Sequence, residues 1–581
     1  FITGETSSSI VGGKDNTIYA GVRDRNNYNI IGGGGDNLIT NSTKSAIVGG
    51  DVNIVTGSTS SVIGSGTKNK IINSNRAALM AGSGNTINVS LDSSLISGVK
   101  NTIDDSDSAL LGSGLMNSII GVSNMSSLVS GELNVVTAST HSILGAGIKN
   151  KITSSDRAAL MAGSGNTINL SDNSFVGSGE LNLIDKSKDS SIVGGDSNLI
   201  SGETSSSIVG GWQNSINGNT FDGRDYNFIG GGVSNEVISD TSIIGAGKGN
   251  TITRSAMSLI GSGFQNDISH SQHSSIVGGV TNSVRGQNLS SFIGGGITNT
   301  IGQFAAPGGE NNVIGGGAYN VITQMCAQDS IVGGMYNSIN EQCGWVFIGG
   351  GQSNRVGDGT WIGSFNTNFA SIVGGKDNYI NYEWYSAIAG GESNLITGGT
   401  HNIIGGGEHN IIKSQDTILS GVTADSTTHS VIGGGKDNLI VGSDNSFIGS
   451  GHKNQILNSD YTIIGGGQLN VVKESSTHSV IAGGKDNDIY QVSPYSVIGG
   501  GEDNDIFSGS PYSVIVGGDD NKTRWSHHSL IGGGTLNQNR EADYSIVVGG
   551  YLNRNYFTDY SFIGGGSGHT INTDAHYGTI G

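Results

Sequence analysis

Two cysteines, Cys326 and Cys343, are the only ones in the sequence. Each lies five residues before the central isoleucine of a sequence repeat, Ile331 or Ile348, so both occupy the same position in consecutive repeats. Stacked strands lie about 4.8 Å apart, a separation that a disulfide bond can span. We therefore expect a Cys326–Cys343 disulfide between neighbouring coils, which favours an oxidising, extracellular location. Two buried, reduced thiols are the alternative.

Aromatic residues recur three residues before the central apolar residue in eight successive C-terminal repeats. In the N-terminal half, polar residues such as Ser60, Arg76 and Asp92 hold that position. A column of exposed rings can stack on sugar rings, which predicts a carbohydrate-binding stripe. Rings that stack on one another, stiffening the array or forming a seam between chains, are the alternative. The predicted stripe consists of Tyr461, His478, Tyr495, Tyr512, His528, Tyr544, Tyr560 and Tyr577.

No set of residues points to catalysis. The carboxylate pairs Asp104–Asp105 and Asp519–Asp520 fall in turns, and adjacent residues of an extended chain point in opposite directions. Glycoside hydrolysis requires two carboxyl groups about 5 to 9.5 Å apart in a groove, and nothing singles out such a pair. We expect that the protein is not an enzyme and uses no cofactor.

Calcium in the turns is the one metal-binding alternative that stays open. The turn sequence GGKDNTI is close to the calcium-binding nonapeptide GGxGxDxUx. It lacks the fourth-position glycine and, in most copies, the sixth-position aspartate.

The composition excludes several classes of protein. The 581 residues include 100 Gly but only 3 Pro, without a three-residue glycine period, which excludes collagen. The net charge of -19 disfavours binding to nucleic acid or to an anionic membrane surface. No apolar run approaches the roughly 18 residues of a membrane-spanning helix, so we expect no membrane insertion.

The elements that position these residues come from a repeat that fills the chain. Its unit is SxI(V/G)GGxxNxI, as in Ser8 to Ile18 and Ser291 to Ile301, and about 36 copies recur at spacings of mostly 16 or 17 residues. Each unit has two short β-branched runs, at SxI and at NxI, separated by glycines and polar residues. The pattern predicts an all-β, parallel β-solenoid or β-roll of about 36 coils with two short strands per coil.

The asparagine six residues after the central position recurs in nearly every copy. In a stacked coil these amides lie one above another and can donate and accept hydrogen bonds along the stack. We interpret them as a structural ladder rather than as metal ligands, because neutral amides bind cations weakly. The predicted ladder includes Asn16, Asn37, Asn53, Asn69, Asn85, Asn101, Asn117, Asn134, Asn150, Asn166, Asn182 and Asn198.

The two residues that flank the central isoleucine compensate in volume. Serine before it goes with valine after it, as in Ser275-Ile276-Val277, whereas phenylalanine before it goes with glycine after it, as in Phe347-Ile348-Gly349. Both positions share one face of the strand, so side chains are confined there. The pattern predicts that a second chain covers this face, in a parallel homo-oligomer. Packing under loops of the same chain is the alternative.

The copies SVIGSGTKN (61–69), SVIGGGKDN (430–438) and SVIGGGEDN (496–504) resemble the head-domain repeats of trimeric autotransporter adhesins. The resemblance covers nearly the whole chain, and a short repeat motif alone carries it. It implies a left-handed parallel β-roll in a three-chain bundle on a bacterial surface. The ladder asparagine and the 16-residue period depart from that family, and trimeric fibres of phages and viruses have similar folds.

The sequence predicts one continuous array over residues 1–581, with an aromatic-poor half of about 1–290 and an aromatic-rich half of about 291–581. Neither end has an atypical polar cap, so head-to-tail stacking or a longer chain is expected. The function that this organisation favours is that of a structural protomer of an extracellular fibre or filament. The alternative is a phage or virus tail fibre, or a surface adhesin head, that binds a glycan receptor. We expect a location at a cell or virion surface, with copies of the same chain as partners.

Overall fold

The computed structural model describes residues 1–4, 6–19, 27–218, 225–302, 309–323, 325–340, 343–357, 367–415, 427–573 and 575–581. These residues form a parallel β-solenoid of about 33 turns, with a period of about 16 residues and two strands per turn. None of them is helical. The predicted all-β parallel solenoid is therefore confirmed.

The strands stack into two columns. The SxI strand contains the central apolar residue, is two residues long, and runs from Ser9–Ile10 in the first turn to Thr579–Ile580 in the last. The NxI strand follows the ladder asparagine and has two or three residues in nearly every turn, from Ile2–Thr3 to Thr570–Ile571. Such short strands are stable only because each one pairs with a strand in the turn before and the turn after.

Two neighbouring NxI strands are longer than the others. Tyr379–Trp384 and Leu395–Thr400 each have six residues and pair in register. The extra strand Thr427–Thr428 pairs with the end of the second of them.

The turn around Ile47 shows how successive turns connect. Ile47 is the register partner of Ile63, and Val55 that of Ile71. The backbone N–H of Val48 donates to the carbonyl of Ile63 at 2.9 Å. Glycine with a positive φ, such as Gly50 at 90°, turns the chain between the two strands.

Each turn buries five side chains in a narrow interior. In the turn of Ile47 they are Ile47, Asn53, Val55, Ser58 and Ser61, all at most 1% exposed. Only two of the five are large and apolar. The remaining interior is polar, so its hydrogen bonds must be satisfied from turn to turn.

The stack has fewer turns than the repeat count predicts, because some neighbouring strands are far apart in sequence. Phe347–Ile348 pairs directly with Ser371–Ile372, and Ile403–Ile404 pairs directly with Val431–Ile432. Residues 358–366 and 416–426 lie outside the described residues. These two pairings join strands that are 24 and 28 residues apart, against about 16 residues in an ordinary turn.

The chain forms two compact units, Phe1–Val280 and Thr281–Gly581. Their boundary lies near residue 290, where the sequence changes from aromatic-poor to aromatic-rich. The prediction of one uninterrupted array over the whole chain stays a prediction.

Candidate functional site

The ladder asparagines tie each turn to both neighbours. The Asn53 N–H donates to Oδ1 of Asn37 at 3.0 Å, and Oδ1 of Asn53 accepts the N–H of Asn69 at 3.0 Å. Nδ2 of Asn53 donates to the carbonyl of Gly49 at 3.1 Å and to that of Gly66 at 2.9 Å. All twelve predicted ladder residues are buried in this column. The ladder satisfies backbone N–H and C=O groups of the turns as well as the asparagine side chains.

Two columns of inward serines form further ladders that sequence reasoning missed. In the first, the N–H of Ser58 donates to Oγ of Ser42 at 3.1 Å. In the second, Oγ of Ser45 accepts the N–H of Ser61 at 3.2 Å and donates to the carbonyl of Ser58 at 3.1 Å. The signal was present as serine two and five residues before the central isoleucine, repeated every 16 residues or so.

Two turns replace these serines by a glycine and an asparagine. A Cβ added to Gly309 would lie 2.7 Å from Nδ2 of Asn312, and one added to Gly399 would lie 2.9 Å from Nδ2 of Asn402. Each amide donates to a carbonyl of the next turn at 2.7 Å. The asparagine therefore fills the space that the missing side chain leaves, and keeps the hydrogen bond to the next turn.

The eight predicted stripe residues form one continuous stack of rings. Neighbouring ring centroids lie 4.7 to 5.1 Å apart, with interplanar angles of 1 to 16°. The Tyr side chains of this stack are about half exposed, except the last, Tyr577, which is 72% exposed. Because each inner ring is covered on both faces by its neighbours, mainly ring edges and hydroxyl groups point to solvent. This geometry favours the self-stacking alternative; the carbohydrate-binding stripe stays a prediction.

The same column carries a second group of five stacked aromatic residues, outside the predicted stripe. Their neighbouring centroids lie 4.6 to 4.9 Å apart. Asn445 occupies the position between this group and Tyr461. The long sequence intervals between these turns concealed the period. The five residues are Trp345, Phe369, Tyr385, His401 and His429.

Cys326 and Cys343 lie side by side in neighbouring turns, as their spacing predicts, because Ala327 pairs with Gly344. Both thiols are buried and no disulfide bond joins them in this structure, so the disulfide stays a prediction for protein made in an oxidising compartment. Sγ of Cys343 donates to the carbonyl of Asn340 at 2.7 Å. The hydrogen bond with Cys326 and burial raise the pKa of Cys343 well above its usual value.

Three buried carboxyl groups interrupt the serine columns. Burial raises the pKa of Glu203 to about 7, that of Asp329 to about 7 and that of Glu383 to about 8. Oε2 of Glu383 accepts a hydrogen bond from Ser386 at 2.7 Å, whereas its Oε1 has no partner. They lie in different turns and replace serine in the interior, an arrangement that favours a structural role.

The residues immediately before and after the central isoleucine form an exposed apolar face. The central residue is fully buried, but Val48 is 61% and Val373 57% exposed. No charged residue occurs at either position in any SxI strand, and the next residue along is always Gly, Ala or Ser. The described loops of the same chain do not cover this face, which disfavours the alternative of packing within one chain. Its burial by a second chain stays a prediction.

In the described part of the chain, no group of three or more His, Cys, Asp or Glu side chains could hold a metal ion. The same residues include no helix that is long and apolar enough to cross a membrane.

Comparisons with known proteins found no relative of this chain. No protein-family model matches the chain, and no curated protein matches it. The resemblance to trimeric autotransporter adhesin heads thus rests on the repeat motif alone.

Proposed function

We propose that this chain is a structural protomer of an extracellular fibre or filament. The proposal rests on the turn itself, in which three polar ladders and two isoleucine columns repeat with almost no change. Such a stack supports itself from turn to turn and gains length simply by adding turns.

The proposed partner is a second copy of the chain, bound through the apolar face. On this face, nearly every turn exposes about half of a large apolar side chain. The exposed apolar area is on the order of 1,000 Å² in each compact unit, which exceeds the ~300–600 Å² patch of a typical monomer. A partner that contacts successive turns must itself repeat about every 4.8 Å, as a second β-stack does. The absence of charge from this face lets two chains of net charge -19 approach each other there.

The test introduces charge into the apolar face. Val332→Glu with Val373→Glu places two carboxylates on it, and we expect the variant to be monomeric by sedimentation where the parent protein is oligomeric. Ile297→Glu with Met335→Glu is the control, since these exposed side chains belong to a different column. Negative-stain images of the parent protein must show rods or filaments. A monomeric parent protein, or equal disruption by both variants, would contradict the proposal.

A further inference from the structure

In three consecutive turns near the C-terminus, a polar residue replaces the inward apolar residue of the NxI strand. The inward position of the NxI strand is Ile or Val in nearly all the remaining turns. In these three turns it is Thr523, Asn539 and Asn555, all fully buried and in register. Oγ1 of Thr523 and Oδ1 of Asn555 have no hydrogen-bond partner. Buried polar groups without partners cost stability, and such local departures concentrate at functional sites.

The outward side of the same three strands is basic. Lys522 and Arg524 lie on the first strand, Arg540 on the second and Arg554 on the third. Arg524 is the register partner of Arg540, so two guanidinium groups are neighbours in one column. Like charges placed opposite each other destabilise a sheet. This concentration stands out in a chain whose net charge is -19.

Carboxylates do not neutralise these cations fully. Lys522 is paired with Asp520 at 2.8 Å and with Asp505 at 3.5 Å. The Arg540 guanidinium lies 3.8 Å from Glu541, which is a long contact for an ion pair. Among the described residues, the ion pairs of this region include neither Arg524 nor Arg554, and Nε of each is buried without a hydrogen-bond partner. No described carboxylate therefore neutralises the guanidinium groups on the first and third of these strands.

Aromatic rings hold the guanidinium groups in place. Arg524 lies 3.6 Å from the ring centroid of Trp525 and 5.4 Å from that of Phe507. Arg540 lies 5.6 Å from Trp525 and 5.6 Å from Phe557. Trp525 and Phe557 are themselves partly exposed. The surface alternates cations with rings along the stack, an arrangement suited to a ligand that is both anionic and ring-shaped.

We propose that Lys522, Arg524, Arg540 and Arg554, with Trp525 and Phe557, form a binding surface for an acidic polysaccharide. Guanidinium groups match sulfate and carboxylate groups with two parallel hydrogen bonds. Exposed aromatic rings pack against the apolar faces of sugar rings. A nucleic acid, with one charge per ~1.7 Å of duplex, meets stronger repulsion from the rest of this acidic surface. The inference does not depend on the proposed fibre function.

Heparin is the probe for this surface. The variant Arg524→Gln/Arg540→Gln/Arg554→Gln must bind immobilised heparin at least tenfold more weakly than the parent protein at 0.15 M salt. The matched control is Lys376→Gln/Lys436→Gln/Lys485→Gln, which removes the same charge from exposed lysines that pair with Glu392, Glu408 and Glu502. We expect the control to bind heparin as the parent protein does.

Two further measurements exclude trivial explanations. Circular dichroism and thermal melting of the arginine variant show whether the stack still folds, and heparin must shift the fluorescence of the parent protein but not of Trp525→Phe. No binding by the parent protein, equal loss in both triple variants, or equal binding of single-stranded DNA would each overturn the proposal.

Discussion

The ring of Phe347 occupies the space that a side chain at residue 349 would require. A Cβ added to Gly349 would lie 3.2 Å from the Phe347 ring and 2.3 Å from the carbonyl oxygen of Val373 in the next turn. The next turn has the opposite arrangement, Ser371 and Val373. The volume compensation seen in the sequence thus has a steric cause inside one chain. The case for self-association rests instead on the exposed area and the lack of charge. The same phenylalanine–glycine contact, at 3.3 to 3.4 Å, occurs at Phe175 and Gly177, Phe228 and Gly230, Phe447 and Gly449, and Phe562 and Gly564.

Gly349→Val should destabilise the stack by about 1 to 3 kcal/mol or more, because its Cβ would meet both the carbonyl oxygen of Val373 at 2.3 Å and the Phe347 ring at 3.2 Å. Adding Phe347→Ser removes only the ring contact, so the double variant should recover part of the loss and remain less stable than the parent protein. Thermal unfolding of the single and double variants measures both effects. Gly350→Ala is the control, since no atom lies within 4 Å of the added carbon. A double variant as unstable as the single one would contradict this account.

The sequence predicted the parts of the fold that repeat. Spacing alone located the two strand columns, the Asn53 column and the neighbouring cysteines, because each recurs at one place in every turn. Spacing did not locate clusters of side chains that form only when residues of neighbouring turns come together. Arg524 and Arg540 are 16 residues apart and look unrelated until the register brings them together. Trp345 and Phe369 stack although 24 residues separate them, because the strands that follow them in sequence are direct neighbours in the SxI column.

Asn438→Ala should lower stability by about 2 to 4 kcal/mol, since each buried group left without a partner costs ~1 to 3 kcal/mol. Nδ2 of Asn438 donates to the carbonyls of Gly434 and Gly451, both at 3.0 Å. Its Oδ1 accepts the N–H of Asn454 at 3.0 Å. Hydrogen exchange should accelerate at the Asn454 amide first. Gln468→Ala, at an exposed position, is the control, and a melting curve unchanged by Asn438→Ala would refute the structural ladder.

Glu383 should make the stack less stable as the pH rises. Its folded pKa, raised by burial to about 8, lies above the ordinary value of 4.5, so the folded state holds the proton more tightly. The stability is fully present below pH 4.5 and is lost progressively up to about pH 8, by up to ~5 kcal/mol. Glu383→Gln should remove this component and raise the melting temperature at pH 8. A pH profile of melting identical in both proteins would count against burial of the carboxyl group.

Cys343 should react slowly with alkylating reagents in the folded, reduced protein. The thiol is buried and its pKa is raised, so little of the reactive thiolate is present at neutral pH. Mass spectrometry after iodoacetamide treatment, before and after denaturation, measures the difference. Protein produced in an oxidising compartment should instead carry the Cys326–Cys343 disulfide that the spacing predicts. Rapid labelling of Cys343 in the native reduced protein would contradict the buried position.

Tyr495→Ala should separate the two interpretations of the aromatic column. The Tyr495 ring stacks on His478 at 4.7 Å and on Tyr512 at 4.9 Å. Loss of both contacts should cost about 1 to 3 kcal/mol, at ~0.5 to 1.5 kcal/mol per aromatic pair. Tyr495→Phe keeps the ring and should melt like the parent protein. If rings serve mainly to stiffen the stack, only the alanine variant changes, and it changes in stability. If the column is instead a carbohydrate-binding stripe, the parent protein should bind in a glycan array and Tyr495→Ala should abolish that binding. Its melting temperature should then stay the same, because the ring edges and hydroxyl groups would contact the ligand rather than support the fold.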